Sequence, residues 1–405
     1  MIPTCPARPT VTLMAAALLS GTMFSGPALA LDGNDLLDKI NALYRDGGSR
    51  ITAQAIDVDG RDVRLRGAVI VASGGPGLPD RSVDIGDVEL SNVAERGDGG
   101  YTVGAVTLPD FLTNQQGMTV SLRNLRVTGL VIPADPDADT LESMAFYEAA
   151  SMGPLAVSRD GAEVLSVQSA TTAMTPAPDG SGFSFSTRAT GIRSAPGQMD
   201  DLSGREAARQ LGLAEVNGDL DLYGTWTAAT GRFDVERFTF DADNIGRLDF
   251  TLSLSGYTLD LRRSIRETAR SVKSNPNTQA AQQAGSIAMM GILQQLELHR
   301  VRLRFDDDGI TRRALDYTGR RQGISGEQLA QAASAMIPMA LAQYGVADPQ
   351  NRIGGPLGDF LSNPRNLTVS ITPEQPLPLI SLIGTLSTSP AALLTLPGTT
   401  ITANE

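Results

Sequence analysis

This sequence has almost none of the residues from which most catalytic and metal-binding sites are built. Its 405 residues include one Cys, one His and one Trp, whereas nucleophilic, acid–base and metal chemistry draws heavily on Cys and His. The single thiol, Cys5, lies close to the N-terminus, so a chain cleaved after residue 30 has no thiol and no disulfide. Lysine is nearly missing as well: Lys39 and Lys273 are the only two, and arginine carries the remaining positive charge. Serine hydrolase signatures are lacking, because there is no G-x-S-x-G and neither lysine has a serine three residues ahead of it. Beyond residue 30 no apolar run approaches the ~18 residues needed to span a bilayer. Aromatic residues are 5% of the chain, few for the stacking platforms of a sugar site.

What is present begins with a leader. Arg8 precedes the apolar run Val11–Leu19, and Ala28-Leu29-Ala30 forms an A-x-A cleavage signature before Leu31. Residues 1–30 therefore read as a secretory signal, and the mature chain as a soluble periplasmic protein. Its formal charge is −12, or −13 once Arg8 is removed. An acidic protein is a poor general binder of nucleic acid or of anionic membrane surfaces.

The mature chain opens with a helix whose apolar residues Leu36, Leu37, Ile40, Leu43 and Tyr44 share one face. Asp59-Gly60 sits between Ala55–Val58 and Val63–Val71 as a hairpin turn. Alternation predicts strands at Val83–Val93, Tyr101–Leu108, Val120–Ile132, Val164–Val167 and Phe183–Ala189, with a short helix over Leu141–Ser151. Two stretches echo each other: Asp87–Val93 and Thr119–Leu125 share the pattern x-Val-x-Leu-x-Asn-apolar, as expected of neighbouring strands with one inward alternation. The polar stretch Arg193–Asp201 divides a β-rich half (31–195) from a second half (196–405).

That second half starts with a short helix near Gly204–Leu211 and strands at Val216–Trp226, Arg232–Ala242 and Arg247–Tyr257. Helices follow over Leu259–Lys273 and Ala280–Leu293, then the strand Leu298–Phe305, a short helix and a longer one with a Ser325/Gln328 capping box. The fold class is α+β and β-rich, with largely antiparallel curved sheet and helices clustered in the second half, because no βαβα alternation is visible.

Alternation in Leu298–Phe305 puts His299, Val301, Leu303 and Phe305 on one face and Arg300, Arg302 and Arg304 on the other. The arginine row is the candidate contact for an anionic ligand, since guanidinium groups suit phosphate and carboxylate. His299 has no identifiable carboxylate or nucleophile beside it and reads as structural. Asp135, Asp137 and Asp139, and likewise Asp57 and Asp59, resemble fragments of calcium loops, but the first has Thr140 and Phe146 where an EF-hand needs Gly and Glu and the second has Ala55 in the first ligand position, so both read as turns. No catalytic residue, cofactor site or metal site is assigned. The methionine-containing stretches Ile287–Leu293 and Ala335–Leu341 read as helix core.

The early leader, the short strands ending in Asn-apolar steps, and the segment Phe238–Leu254 together resemble the AsmA-like and YdgA-like families of Gram-negative envelope proteins. The order after Val301 fits as well: strand, Asp/Gly turn, short helix, then the Ser325-capped helix. The resemblance implies long curved β-sheets and a role in envelope lipid homeostasis, and carries over no catalytic residue. Those families typically keep an N-terminal membrane anchor, whereas this leader reads as cleaved. The expected function is a non-catalytic periplasmic protein that binds a lipid-like or envelope ligand. A protein-binding assembly factor is the alternative, and a carboxylate-based hydrolase the third reading.

Overall fold

Alternating apolar and polar residues build one antiparallel sheet that follows chain order almost throughout. The computed structural model describes residues 31–45, 48–73, 80–115, 117–198, 202–274, 279–348, 350–388, 394 and 396–405; the leader and Cys5 lie outside them. Helix α1 (Gly33–Tyr44) starts behind Asp32, whose carboxylate accepts the N–H groups of Asn34 and Asp35. Strands β1 (Ser49–Thr52) and β2 (Ala55–Asp59) lie end to end along β3 (Asp62–Ala72); the hairpin forms, but its two-residue turn is Gly60-Arg61, one residue on from Asp59-Gly60, because Asp59 still pairs with Asp62. Then come β4 (Arg81–Glu95) and β5 (Tyr101–Thr107), while β6 (Phe111–Gln115) shares β7 (Met118–Ile132) with β5. Strand β8 (Tyr147–Arg159) pairs with both β9 (Ala162–Val167) and β10 (Ser169–Pro176), which together line β11 (Gly182–Ser194).

After helix α2 (Leu202–Gln210) the sheet continues through β12 (Val216–Thr227), β13 (Arg232–Ala242) and β14 (Gly246–Ser255). Helices α3 (Leu259–Ser274) and α4 (Gln279–Gln295) lead to β15 (Glu297–Asp307). The chain ends with α5 (Ile310–Gln322), α6 (Gly326–Gln343), α7 (Gly354–Ser362), β16 (Asn366–Ile371), β17 (Leu377–Pro378), α8 (Leu379–Thr388) and β18 (Thr399–Ala403). Strand β15 takes both β16 and β17 as neighbours, and β18 closes the order beside β16. The fold is thus α+β and β-rich, with helices mostly in the second half. The two halves read from the sequence share this sheet: β11 and β12, either side of residue 195, pair over their length.

The pairing register aligns one apolar row across fourteen strands. It runs Val58, Val63, Leu90, Val106, Val127, Ala150, Thr172, Thr187, Leu222, Phe238, Phe250, Leu303, Val369 and Ile401, each opposite the next. Only two members are polar, and Thr187 gives its hydroxyl hydrogen to Thr172 Oγ1 at 3.2 Å. One residue along, a polar row runs Arg64, Glu89, Thr107, Arg126, Ser151, Thr171, Arg188, Asp221, Thr239, Asp249, Arg304, Thr368 and Thr402. Successive side chains point to opposite faces, so the sheet has one apolar and one polar face from edge to edge.

Strict alternation would lose this phase on long, bent strands, and bulges restore it. Gly67, Asn92, Asn124 and Gly191 stand inside strands with φ of 55°, 58°, 54° and 59°. An Asp carboxylate on an adjacent segment accepts each of their N–H groups: Asp87, Asp62, Asp110 and Asp219, at 2.8 to 3.0 Å. Across Asn92 the apolar residues step by three, from Leu90 to Val93, yet both remain buried. The echoed sequence pattern is this device, because its Asn is the bulge residue in both copies. The two copies are not paired with each other: in β4 the stretch lies between β3 and β5, whereas Thr119–Leu125 of β7 lies between β6 and β8. Asn92→Gly should leave stability within about 0.5 kcal/mol of the parent. Asn92→Val should cost about 1–2 kcal/mol in urea melts, because a β-branched side chain resists the left-handed conformation.

The helix expected over Leu141–Ser151 does not form. Leu141–Ser143 makes one 3-10 turn, and Tyr147 onward is β8. Ser151 and Ala150 pair with Arg126 and Val127 on one side and with Thr171 and Thr172 on the other. Two-sided pairing in a central strand outweighs the helix propensity of Glu148-Ala-Ala. Helix α5 is longer than expected, and α7 and α8 form where no helix was expected.

Helices cover the apolar face at both ends. Leu36 of α1 is fully buried against Val63, Leu65, Val88, Leu90 and Val103. At the far end Leu341 and Ile337 of α6, with Leu357 of α7, pack on Leu367, Val369 and Ile401, while Leu382 of α8 packs with Leu298 and Ile371.

Candidate binding face

Between those covered ends the apolar row continues with partial exposure. Leu122, Val157, Phe185, Leu222, Phe238 and Phe250 are only half-buried, and Leu303 is 43% exposed. Scattered apolar residues at a surface carry no information, but a contiguous patch marks a surface that meets something apolar. From β7 to β15 the open stretch crosses seven strand spacings, about 34 Å along the sheet at ~4.8 Å each.

An aromatic cluster closes one rim of this stretch. Phe183 lies 5.1 Å from Trp226 and 6.0 Å from Phe146, and Phe185 stacks on Phe233 at 5.3 Å. Tyr257, just ahead of α3, meets Trp226 and Phe233 edge-on, and its carbonyl accepts the Trp226 indole N–H at 2.7 Å. This interlock sets the start of α3 beside the apolar face. A salt-bridge clamp holds the rest of the helix. Asp139 pairs with Arg263 at 2.6 Å and Arg266 at 3.1 Å, and Asp137 pairs with Arg270 at 2.5 Å and with Arg45, just past α1, at 2.6 Å. The hydrogen bond from Arg270, aided by the nearby Arg45, holds the Asp137 carboxyl below its usual range. These carboxylates tie α1 to α3, and Asp57 is likewise taken by Arg66. Among the described residues no group of three His, Cys, Asp or Glu side chains is placed to hold a metal ion.

Arg262 differs from its neighbours on α3. It is half-buried, its Nη1 is sealed from solvent, and that atom has no hydrogen-bond partner. Burial lowers its proton affinity, and the adjacent Arg266 lowers it further, while Tyr257 and Asp139 act the other way.

The row Arg300, Arg302 and Arg304 forms as the alternation predicts, on the polar face and so on the side away from the apolar row. Arg304 is taken up by Asp306, with Nη2 2.6 Å from Oδ1, and lies opposite Asp249. Arg300 and Arg302 are exposed. His299 does not join Val301, Leu303 and Phe305. A bulge between Ser253 and Leu254 in the β14–β15 register brings Leu298 opposite Leu254 instead, and His299 Nε2 meets Ser255 Oγ at 2.8 Å. The side chain of Asp307 accepts the N–H groups of Gly309 and Thr311 at the start of α5. The Ser325/Gln328 capping box forms as expected.

The methionine stretches depart from their expected place in the core. Met289 and Met290 on α4 are about half exposed, as are Met336 and Met339 on α6. Helix α4 has no charged residue, and α6 has none after Glu327. The inward faces of both helices are supplied by other residues, Ile292 on α4 and Ala330 and Leu341 on α6. Sequence reasoning missed Arg262 and the aromatic rim; the repeated x-Val-x-Leu-x-Asn pattern was the one signal for the bulges.

A protein-family model described as "Uncharacterized protein" matches residues 239–404. The matched stretch runs from within β13 to just past β18 and holds α3 to α8 together with the C-terminal part of the sheet. No curated protein matches the chain. No described helix is long and apolar enough to cross a membrane.

Proposed function

We propose that this is a non-catalytic, exported protein that binds a lipid-like ligand on the apolar face of its sheet and serves the cell envelope. The observation that carries the reading is the half-buried apolar row between helix-covered ends, backed by a polar face on the same strands. An extended apolar surface of about 34 Å is comparable in length to the ~30 Å hydrocarbon core of a bilayer. The Arg8, Val11–Leu19 and Ala28-Leu29-Ala30 pattern supports export to the periplasm, and intact-mass analysis of the secreted protein should place its N-terminus at Leu31.

Native mass spectrometry of protein purified from periplasm should show co-purifying lipid, and N-phenyl-1-naphthylamine should gain fluorescence on binding. Leu303→Glu should weaken that binding about tenfold, equivalent to ~1.4 kcal/mol. Thermal stability should change little, because Leu303 is already 43% exposed. A protein that carries no lipid and leaves the dye dark would rule the reading out. Exposed Met289, Met290, Met336 and Met339 favour a second reading, an adaptable surface for a protein partner. Glutamine at these four positions would then abolish partner capture while leaving dye binding unchanged.

A further inference from the structure

We infer that Arg262 receives the acidic head group of an anionic amphiphile whose apolar part lies on the sheet. This deepens the lipid-binding reading and rests on it. Four arginines project from α3, and three have carboxylate partners: Arg263 and Arg266 on Asp139, and Arg270 on Asp137. The Arg262 side chain has no hydrogen bond or ion pair among the described residues, although its Nη1 is sealed from solvent. Burying a cationic donor without a partner is costly, and such groups are normally paired. A guanidinium is suited to carboxylate or phosphate, both of which take its paired donors.

The location fits an amphiphile rather than a free anion. Arg262 sits in the first turn of α3, five residues after Tyr257, whose ring packs on Trp226 and Phe233. Phe233 stacks on Phe185, one of the half-buried residues of the open stretch. A head group at Arg262 therefore has an apolar surface beginning beside it. The helix N-terminus adds its positive dipole end in the same place. The row Arg300, Arg302 and Arg304 cannot supply this contact to the same ligand, because the strand directs it to the other face.

The test compares two probes with one tail: hexadecanoate and 1-hexadecanol, each displacing N-phenyl-1-naphthylamine from the full mature protein. The wild type should prefer hexadecanoate at least about tenfold, a gap of ~1.4 kcal/mol. Arg262→Met should bring the two probes to equal affinity without weakening hexadecanol, and Arg262→Lys should restore part of the preference. The double variant Arg300→Glu/Arg302→Glu should keep it. Inorganic phosphate alone should displace nothing; if it binds at Arg262, the site is one for free anions and the amphiphile assignment is overturned. Equal affinity of the wild type for both probes, or an anionic preference that survives Arg262→Met, overturns the Arg262 assignment and leaves lipid binding standing. Failure of both probes to bind removes the lipid reading itself. A melting measurement without ligand keeps the variant interpretable: removing an unpartnered buried charge should raise Tm by a few degrees, and a fall would show that Arg262 has a structural partner after all.

Discussion

Leu36→Ala should cost about 2–5 kcal/mol, the range for emptying a fully buried leucine site. Leu36 is completely inaccessible and is the central contact of α1 with β3, β4 and β5. The cavity would open against Val63, Leu65, Leu90 and Val103, which the paired strands hold in place, so the surroundings have little means of closing it. The loss should also be local. Hydrogen exchange should show protection falling in β1 to β5, while β12 to β16, held by α6, α7 and α8 at the other end, keep theirs. Uniform loss along the sheet would mean that the two ends fold as one cooperative unit.

The second large effect concerns pH and one buried phenol. Tyr101 is 1% exposed, donates its hydroxyl to Asp35 Oδ2 at 2.6 Å, and lies beneath Lys39, which also pairs with Asp35. Burial, then the bond to Asp35, raises the Tyr101 pKa well above its ordinary value. The hydrogen bonds from Lys39 and Tyr101 lower that of Asp35, against the opposing effect of its burial. Tyr101 favours the folded state fully below the unfolded tyrosine value of about 10, and its contribution is lost as pH climbs toward the folded value. Asp35 contributes above the unfolded carboxylate value of about 3.9, and its share disappears as pH falls through the lowered folded value. Asp137 and Asp221, held down chiefly by hydrogen bonds from Arg270 and Arg188, add to the same acid limb. Stability should therefore be level across neutral pH and fall below about 4 and above about 10. Tyr101→Phe should cost about 1.5–3 kcal/mol at pH 7, as for a buried hydrogen bond to a charged group, and should flatten the alkaline limb. An alkaline limb that persists in Tyr101→Phe would trace it to another group.

Much of this architecture was legible because antiparallel meanders write their turns and periods locally. Strand β14 alternates cleanly, β13 does so on either side of its bulge between Val235 and Phe238, and Thr230-Gly231 and Asn244-Ile245-Gly246 mark their turns. Legibility failed where tertiary pairing or a bulge broke the local rule. Glu148-Ala149-Ala150 looks helical by propensity, but Ala150 is paired on both sides and Ala149 with Thr128. His299 shares a face with Val301 by simple alternation, and one bulge removes it. The methionines of α4 and α6 have the composition of a core, yet which side of an apolar helix meets the sheet is decided by its partners. Arg262 was hidden among arginines in Arg262-Arg263-Ser264-Ile265-Arg266. Its neighbours are distinguished from it only by a loop more than 120 residues earlier in the chain.

The nearly sequential strand order has a consequence for how such a chain changes over time. Because each strand touches little beyond the strands beside it, the molecule behaves as a one-dimensional stack whose stability is a sum of neighbour terms. Inserting or deleting one hairpin in the open middle would alter the reach of the apolar surface by about 9.6 Å, two strand spacings, without disturbing the helical caps at either end. The sheet is in that respect a ruler, and its length is adjustable in steps of one hairpin.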